Sequence, residues 1–157
     1  MTTTVSTQTT QTAATTTTAT RAPYGRLLLV NLGATVVAGV AAEAWTGIVR
    51  ATGTELRVGD PFGDPDSVMT LPVGACATSI VMCMVLGTAI AVLLNWKAKR
   101  AAYTYVVVAS VLTFVSLGGP LVAAGTSVAT KFTLIVAHLI AAAVIVPLVA
   151  RCLARRS

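Results

Sequence analysis

Charge is scarce in this chain. Of its 157 residues only 10% are Asp, Glu, Lys or Arg, against about a quarter in an ordinary soluble protein. There are five acids and one histidine, His138. The three cysteines, Cys76, Cys83 and Cys152, form no CxxC pair and no metal-ligand spacing. No nucleophile–base set and no nucleotide loop is legible either, so neither a catalytic residue nor a cofactor is expected. Asp60, Asp64 and Asp66 lie close together, but the glycine and terminal glutamate of a calcium loop are missing, and a solvated turn is the ordinary reading. No metal is expected.

What the chain has instead is apolar residues, 55% of the total, with a mean hydropathy of +0.84. A water-soluble core of this size cannot absorb so much apolar surface, so the lipid bilayer is the implied partner. The net charge of +6 does not point to nucleic acid, because the basic residues flank apolar runs and form no patch with interleaved aromatics. No motif names a protein partner, and a homo-oligomer stays open.

Residues 1–22 are mostly threonine, with almost nothing to bury against the entropy of ordering, and are expected to be a disordered tail. The alternative is a modified or partner-binding tail. Residues 23–157 form the second unit. Four apolar runs, about 27–49, 71–96, 102–124 and 132–150, are each long enough to cross about 30 Å of hydrocarbon at 1.5 Å per residue. The Ala42-Glu43-Ala44 triplet has the small-x-small form of a signal-peptide cleavage site, yet apolar character continues beyond it to Val49. The predicted fold is all-α: a four-transmembrane-helix antiparallel bundle, with residues 51–70 as a hydrophilic outer loop.

With the N-terminus inside, eight Lys and Arg residues (Arg21, Arg26, Lys97, Lys99, Arg100, Arg151, Arg155 and Arg156) lie on the cytoplasmic side, and three (Arg50, Arg57 and Lys131) lie outside. That asymmetry predicts that both termini are cytoplasmic. Pro72 is placed for the first turn of the second helix. Trp96, Tyr103 and Tyr105 are placed for an interfacial belt. Gly118-Gly119-Pro120 predicts a break near the end of the third helix. Stripes of small residues predict close helix contacts: Gly39 and Gly47, then Cys83, Gly87 and Ala91, then Ala137 and Ala141. Cys76 and Cys83 share a helix face and read as packing residues.

Ionisable residues within spans are costly and mark candidate sites. Glu43 lies six residues before Val49 and His138 six after Phe132, each about 9 Å from the outer end of its span. The spacing predicts a Glu43–His138 polar pair, with Asn31 as a supporting group deeper in the bundle. Such a pair is either structural glue between helices or a carrier of protons or cations. The first makes the chain a non-enzymatic structural or interaction module. The second makes it a small proton-coupled transporter that uses Glu43 with His138.

The four spans, the acid in the first and the last span's AHLIAAAVIVPLVARCL resemble small four-helix membrane proteins of unknown function from high-GC bacteria. That resemblance implies the topology and a bacterial inner membrane, and no activity. The stretch GVAAEAWTG, residues 39–47, is similar to the first helix of small multidrug resistance exporters. There the implied role of Glu43 is exchange of protons for cationic drugs. The Thr-rich tail, the long loop and His138 depart from that family's pattern, and no match to its aromatic binding residues is present.

Overall fold

The computed structural model describes residues 22–59 and 67–155. The Thr-rich tail, the acidic turn at Asp60, Asp64 and Asp66, and Arg156 lie outside them. Among the described residues there are five helices: α1, Tyr24–Ala51; α2, Ala75–Lys97; α3, Ala101–Ser116; α4, Gly118–Val122; and α5, Val128–Ala154. With α3 and α4 taken together as Ala101–Val122, four helical segments among the described residues are long and apolar enough to cross a membrane. The helices form where uninterrupted apolar runs meet a solvent that offers no hydrogen bonds, since only a helix then satisfies the backbone within one segment.

The start of the second helix differs from the sequence expectation for a physical reason. The second helix begins at Ala75, and Pro72 precedes its N-cap, Gly74, rather than occupying its first turn. Gly74 sits at φ +90°, a left-handed conformation that glycine adopts without steric cost, and it turns the chain sharply into α2. The third span breaks where expected: α3 ends at Ser116 and α4 holds Gly118, Gly119 and Pro120.

The 51–70 loop carries an element that composition did not show, a hairpin of two strands, β1 (Arg57–Gly59) and β2 (Val68–Thr70). They pair antiparallel, with Val58 opposite Met69. The hairpin is anchored to the start of α5: Arg57 N–H donates to the Thr130 hydroxyl at 3.2 Å, and Gly59 N–H to the Thr126 hydroxyl at 3.0 Å. Gly59 lies so close to the Ala124 carbonyl that no Cβ fits between them. Lys131 Nζ donates to the Leu121 carbonyl at 2.9 Å, which ties α5 to α4.

Helix α1 is the hub, packing most extensively on α5 and also on α2, while α3 leans on α5. Leu27, Ala91, Ala101, Tyr105, Val149, Cys152 and Leu153 make one buried cluster, so the start of α1, the end of α2, the start of α3 and the end of α5 meet there. Tyr105 is therefore a core residue, 3% exposed, and not part of an interfacial belt, whereas Trp96 (54%) and Tyr103 (70%) are exposed. Lys97 Nζ lies 5.3 Å from the centre of the Trp96 ring. At the same end Asn95 holds the incoming chain by two bonds: its Oδ1 accepts from Ala22 N–H at 3.2 Å and its Nδ2 donates to the Ala22 carbonyl at 3.0 Å. The chain is thus tied down at Ala22.

Of the small-residue stripes, a Cβ added at Gly39 would come to van der Waals distance of Ala77, while one at Gly47 or Gly87 would meet nothing within 4 Å. Gly59→Ala is accordingly expected to destabilise the protein by roughly 1–3 kcal/mol through overpacking. Gly47→Ala, at an exposed helical site, is expected to stabilise it by about 0.5–1 kcal/mol. Thermal unfolding of the two variants in detergent checks the opposite signs.

Candidate functional site

A helix leaves its first four N–H groups without intrahelical partners. The N-cap of α2 is Gly74, which makes no side-chain cap bond. Helix α1 supplies the missing acceptor. Glu43 Oε2 accepts from Gly74 N–H at 3.1 Å, and Oε1 accepts from Ala77 N–H at 3.0 Å. Both oxygens of one carboxylate therefore cap a neighbouring helix, where the partial positive charge of the helix N-terminus also favours an anion. The Thr46 hydroxyl donates to the Glu43 carbonyl at 3.0 Å and lies 3.5 Å from Oε2. Charge-assisted bonds of this kind are worth roughly 1.5–3 kcal/mol each, toward the lower end here because Glu43 is half-buried.

Two helical turns further along α1, Arg50 Nη2 donates to the carbonyls of Leu71 at 3.1 Å and Pro72 at 3.2 Å. The acid takes the N–H groups of the turn into α2 and the guanidinium takes the carbonyls just before it. On the other flank, Trp45 Nε1 donates to the Thr133 carbonyl at 3.1 Å, pinning α1 to α5. Residues 43–50 thus fasten α1 to both of its neighbours.

His138 is engaged elsewhere. Its Nδ1 lies 2.8 Å from the Leu134 carbonyl in its own helix; a carbonyl only accepts, so Nδ1 carries the hydrogen. No hydrogen bond or ion pair joins Glu43 to His138, and the predicted pair is not formed. The depth match also dissolves with the observed helix ends: Glu43 is eight residues from Ala51 and His138 ten from Val128, about 12 Å and about 15 Å along their helices.

The structure instead groups His138 with Asn31. Both line a cavity of about 430 Å³ between the helices, together with Thr35, Ser79, Tyr105 and Thr113, while Glu43 is not part of its wall. Asn31 is 3% exposed, and its amide nitrogen has no hydrogen-bond partner. Leaving such a group buried and unpaired costs roughly 1–3 kcal/mol. Cys76 and Cys83 also line the cavity, Cys152 belongs to the buried cluster, and all three thiols are free. Among the described residues no group of three or more His, Cys, Asp or Glu side chains is placed to hold a metal ion.

Sequence reasoning singled out Glu43 but not its real partners, which are backbone atoms and carry no residue signature. Arg50 and Trp45 were missed as fasteners. A signal for Trp45 existed, because an indole N–H removed from water needs an acceptor.

A double-mutant comparison separates the two arrangements. Glu43→Ala and Arg50→Ala, which loosen the same turn, are expected to be non-additive by at least about 0.5 kcal/mol. Glu43→Ala and His138→Ala are expected to add within about 0.5 kcal/mol, measured by denaturant titration of helicity.

No curated protein and no solved structure matches the chain. One family model does, over residues 22–155, which takes in all four spans. The chain belongs to that family, a family of unknown function (DUF6069).

Proposed function

We propose that this chain is a non-enzymatic integral membrane protein of the bacterial inner membrane, with both termini cytoplasmic. In this reading it is a structural or interaction module in which Glu43 belongs to the architecture. The observation that carries this reading is the occupation of both Glu43 oxygens by the N–H groups of Gly74 and Ala77. A proton carrier has to exchange partners in each cycle. For Glu43 that means leaving the start of α2 uncapped every time the acid is neutralised. The bound carboxylate is in this sense the opposite of a mobile one. The orientation rests on the Lys and Arg asymmetry, eight residues against three.

Two measurements test the reading. In liposomes carrying the purified protein, an imposed pH gradient is expected to decay no faster than in protein-free vesicles. Glu43→Ala is expected to lower the unfolding midpoint without changing that decay. Protein-dependent proton movement that disappears in Glu43→Gln would reinstate the carrier. For orientation, green fluorescent protein fused after Ser157 is expected to fluoresce, whereas alkaline phosphatase at the same place stays inactive; the reverse pattern places the C-terminus outside.

A further inference from the structure

The cavity between the helices is a polar feature that this architecture does not use. Its volume, about 430 Å³, falls in the range of small-molecule sites. Its wall is mostly apolar, and no Asp, Glu, Lys or Arg contributes to it. A charged guest therefore finds no counter-ion there, and burying an unpaired charge in such surroundings is prohibitive.

Two groups give the cavity polarity of a defined kind. The unpartnered amide nitrogen of Asn31 is a donor without an acceptor, on a residue almost wholly removed from solvent that lines both this cavity and a smaller hollow beside the unpartnered Thr88 hydroxyl. His138 commits Nδ1 to Leu134, so a neutral ring offers Nε2 as an acceptor. The hydroxyls of Thr35 and Thr113 are occupied as donors by the carbonyls of Asn31 and Ala109, and so can only accept from a guest.

The route into the cavity is also legible. Ser79, Cys83 and Leu86 of α2 and Leu112, Val115 and Ser116 of α3 all line it and are all exposed. The opening therefore lies between these two helices, on their membrane-facing sides. A guest that enters there comes from among the acyl chains, not from water.

We propose that this cavity is a binding site for a neutral, lipid-soluble molecule whose polar end carries a carbonyl acceptor. The carbonyl takes the hydrogen bond from the Asn31 amide, the apolar body fills the space beside Gly87 and Ala141, and a hydroxyl on the guest, where present, donates to His138 Nε2. The site goes beyond the structural role assigned to Glu43 and does not depend on it.

Benzophenone is a suitable probe, being neutral, lipid-soluble and carbonyl-bearing, and on irradiation it inserts into neighbouring C–H bonds. The full-length protein in lipid nanodiscs is irradiated with increasing benzophenone, and the modified residues are mapped by mass spectrometry. Saturable labelling is expected at Met84, Leu112 and Ile145, with none from the anion 4-benzoylbenzoate at the same concentrations. Asn31→Leu, which removes the donor along with an unpaired polar group, is expected to reduce cavity labelling roughly three- to tenfold, the worth of one hydrogen bond. Gly87→Leu, which places a side chain in the cavity from a wall position where an added Cβ would meet nothing within 4 Å, is expected to abolish it. The unfolding midpoint of each variant is measured alongside, and either variant alone suffices if the other does not fold. Labelling that rises linearly and no more strongly than at the exposed Leu29 and Val40 would mean partition into lipid only and overturn the proposal. So would equal labelling by the anion, or folded variants that label like the parent. None of these outcomes bears on proton movement through Glu43, so the two readings fail separately.

Discussion

The interaction on which the rest of the structure depends is the grip of α1 on the turn into α2. A helix that begins inside or at the edge of a membrane has no water to satisfy its first N–H groups, and the start of α2 has no side chain of its own that does so. Glu43 provides both oxygens, and Arg50 holds the carbonyls of Leu71 and Pro72 immediately before the helix. The two residues are seven apart, about two helical turns, so one face of α1 presents both. The left-handed Gly74 between their targets makes the turn tight enough for one helix to hold both sides of it. Once α2 is seated in this way, Gly39 faces Ala77 with room for no more than a methyl group between them, and Trp45 closes the opposite flank against α5.

A bundle fastened at its polar end does not have to be filled along its length. Among the described residues the buried cluster gathers at the other end, around Leu27, Tyr105, Val149 and Leu153, while α2 and α3 bury little of their surface. In lipid there is no hydrophobic penalty for leaving apolar side chains uncovered, and helix association relies on packing and hydrogen bonds instead. The gap that remains between the helices is where Asn31 and His138 find themselves together. Two polar residues that look like glue for the bundle thus line a space, and the Asn31 amide has no acceptor among its neighbours.

Much of the plan was legible in the residues. The four spans came from run length alone. The break at Gly118-Gly119-Pro120 followed from local chemistry. Glu43 and His138 were identifiable because charge or a titratable ring inside an apolar run is rare and expensive. Their pairing was not legible, because it rested on helix ends that shifted by two residues at Ala51 and four at Val128 and on partners assumed to be side chains. Tyr105 illustrates the same limit: its place near a span end suits an interface, but its rotational position on α3 turns it into the core. The hairpin at Arg57–Gly59 and Val68–Thr70 was hidden because three-residue strands carry too little alternation to read.

By itself the sequence determined the solvent, the number of spans and the identity of the residues too polar to sit idle among lipid tails. Those are properties of composition and length, and each residue contributes to them independently of where its neighbours end up. The tertiary structure alone decided what those polar residues touch. Glu43 met two backbone N–H groups, His138 a carbonyl of its own helix, and Asn31 a cavity. Hydrogen bonds are satisfied or left open over a few tenths of an ångström, and that distance is set by how whole helices rotate and where they stop, which no count of residues along one strand of text contains.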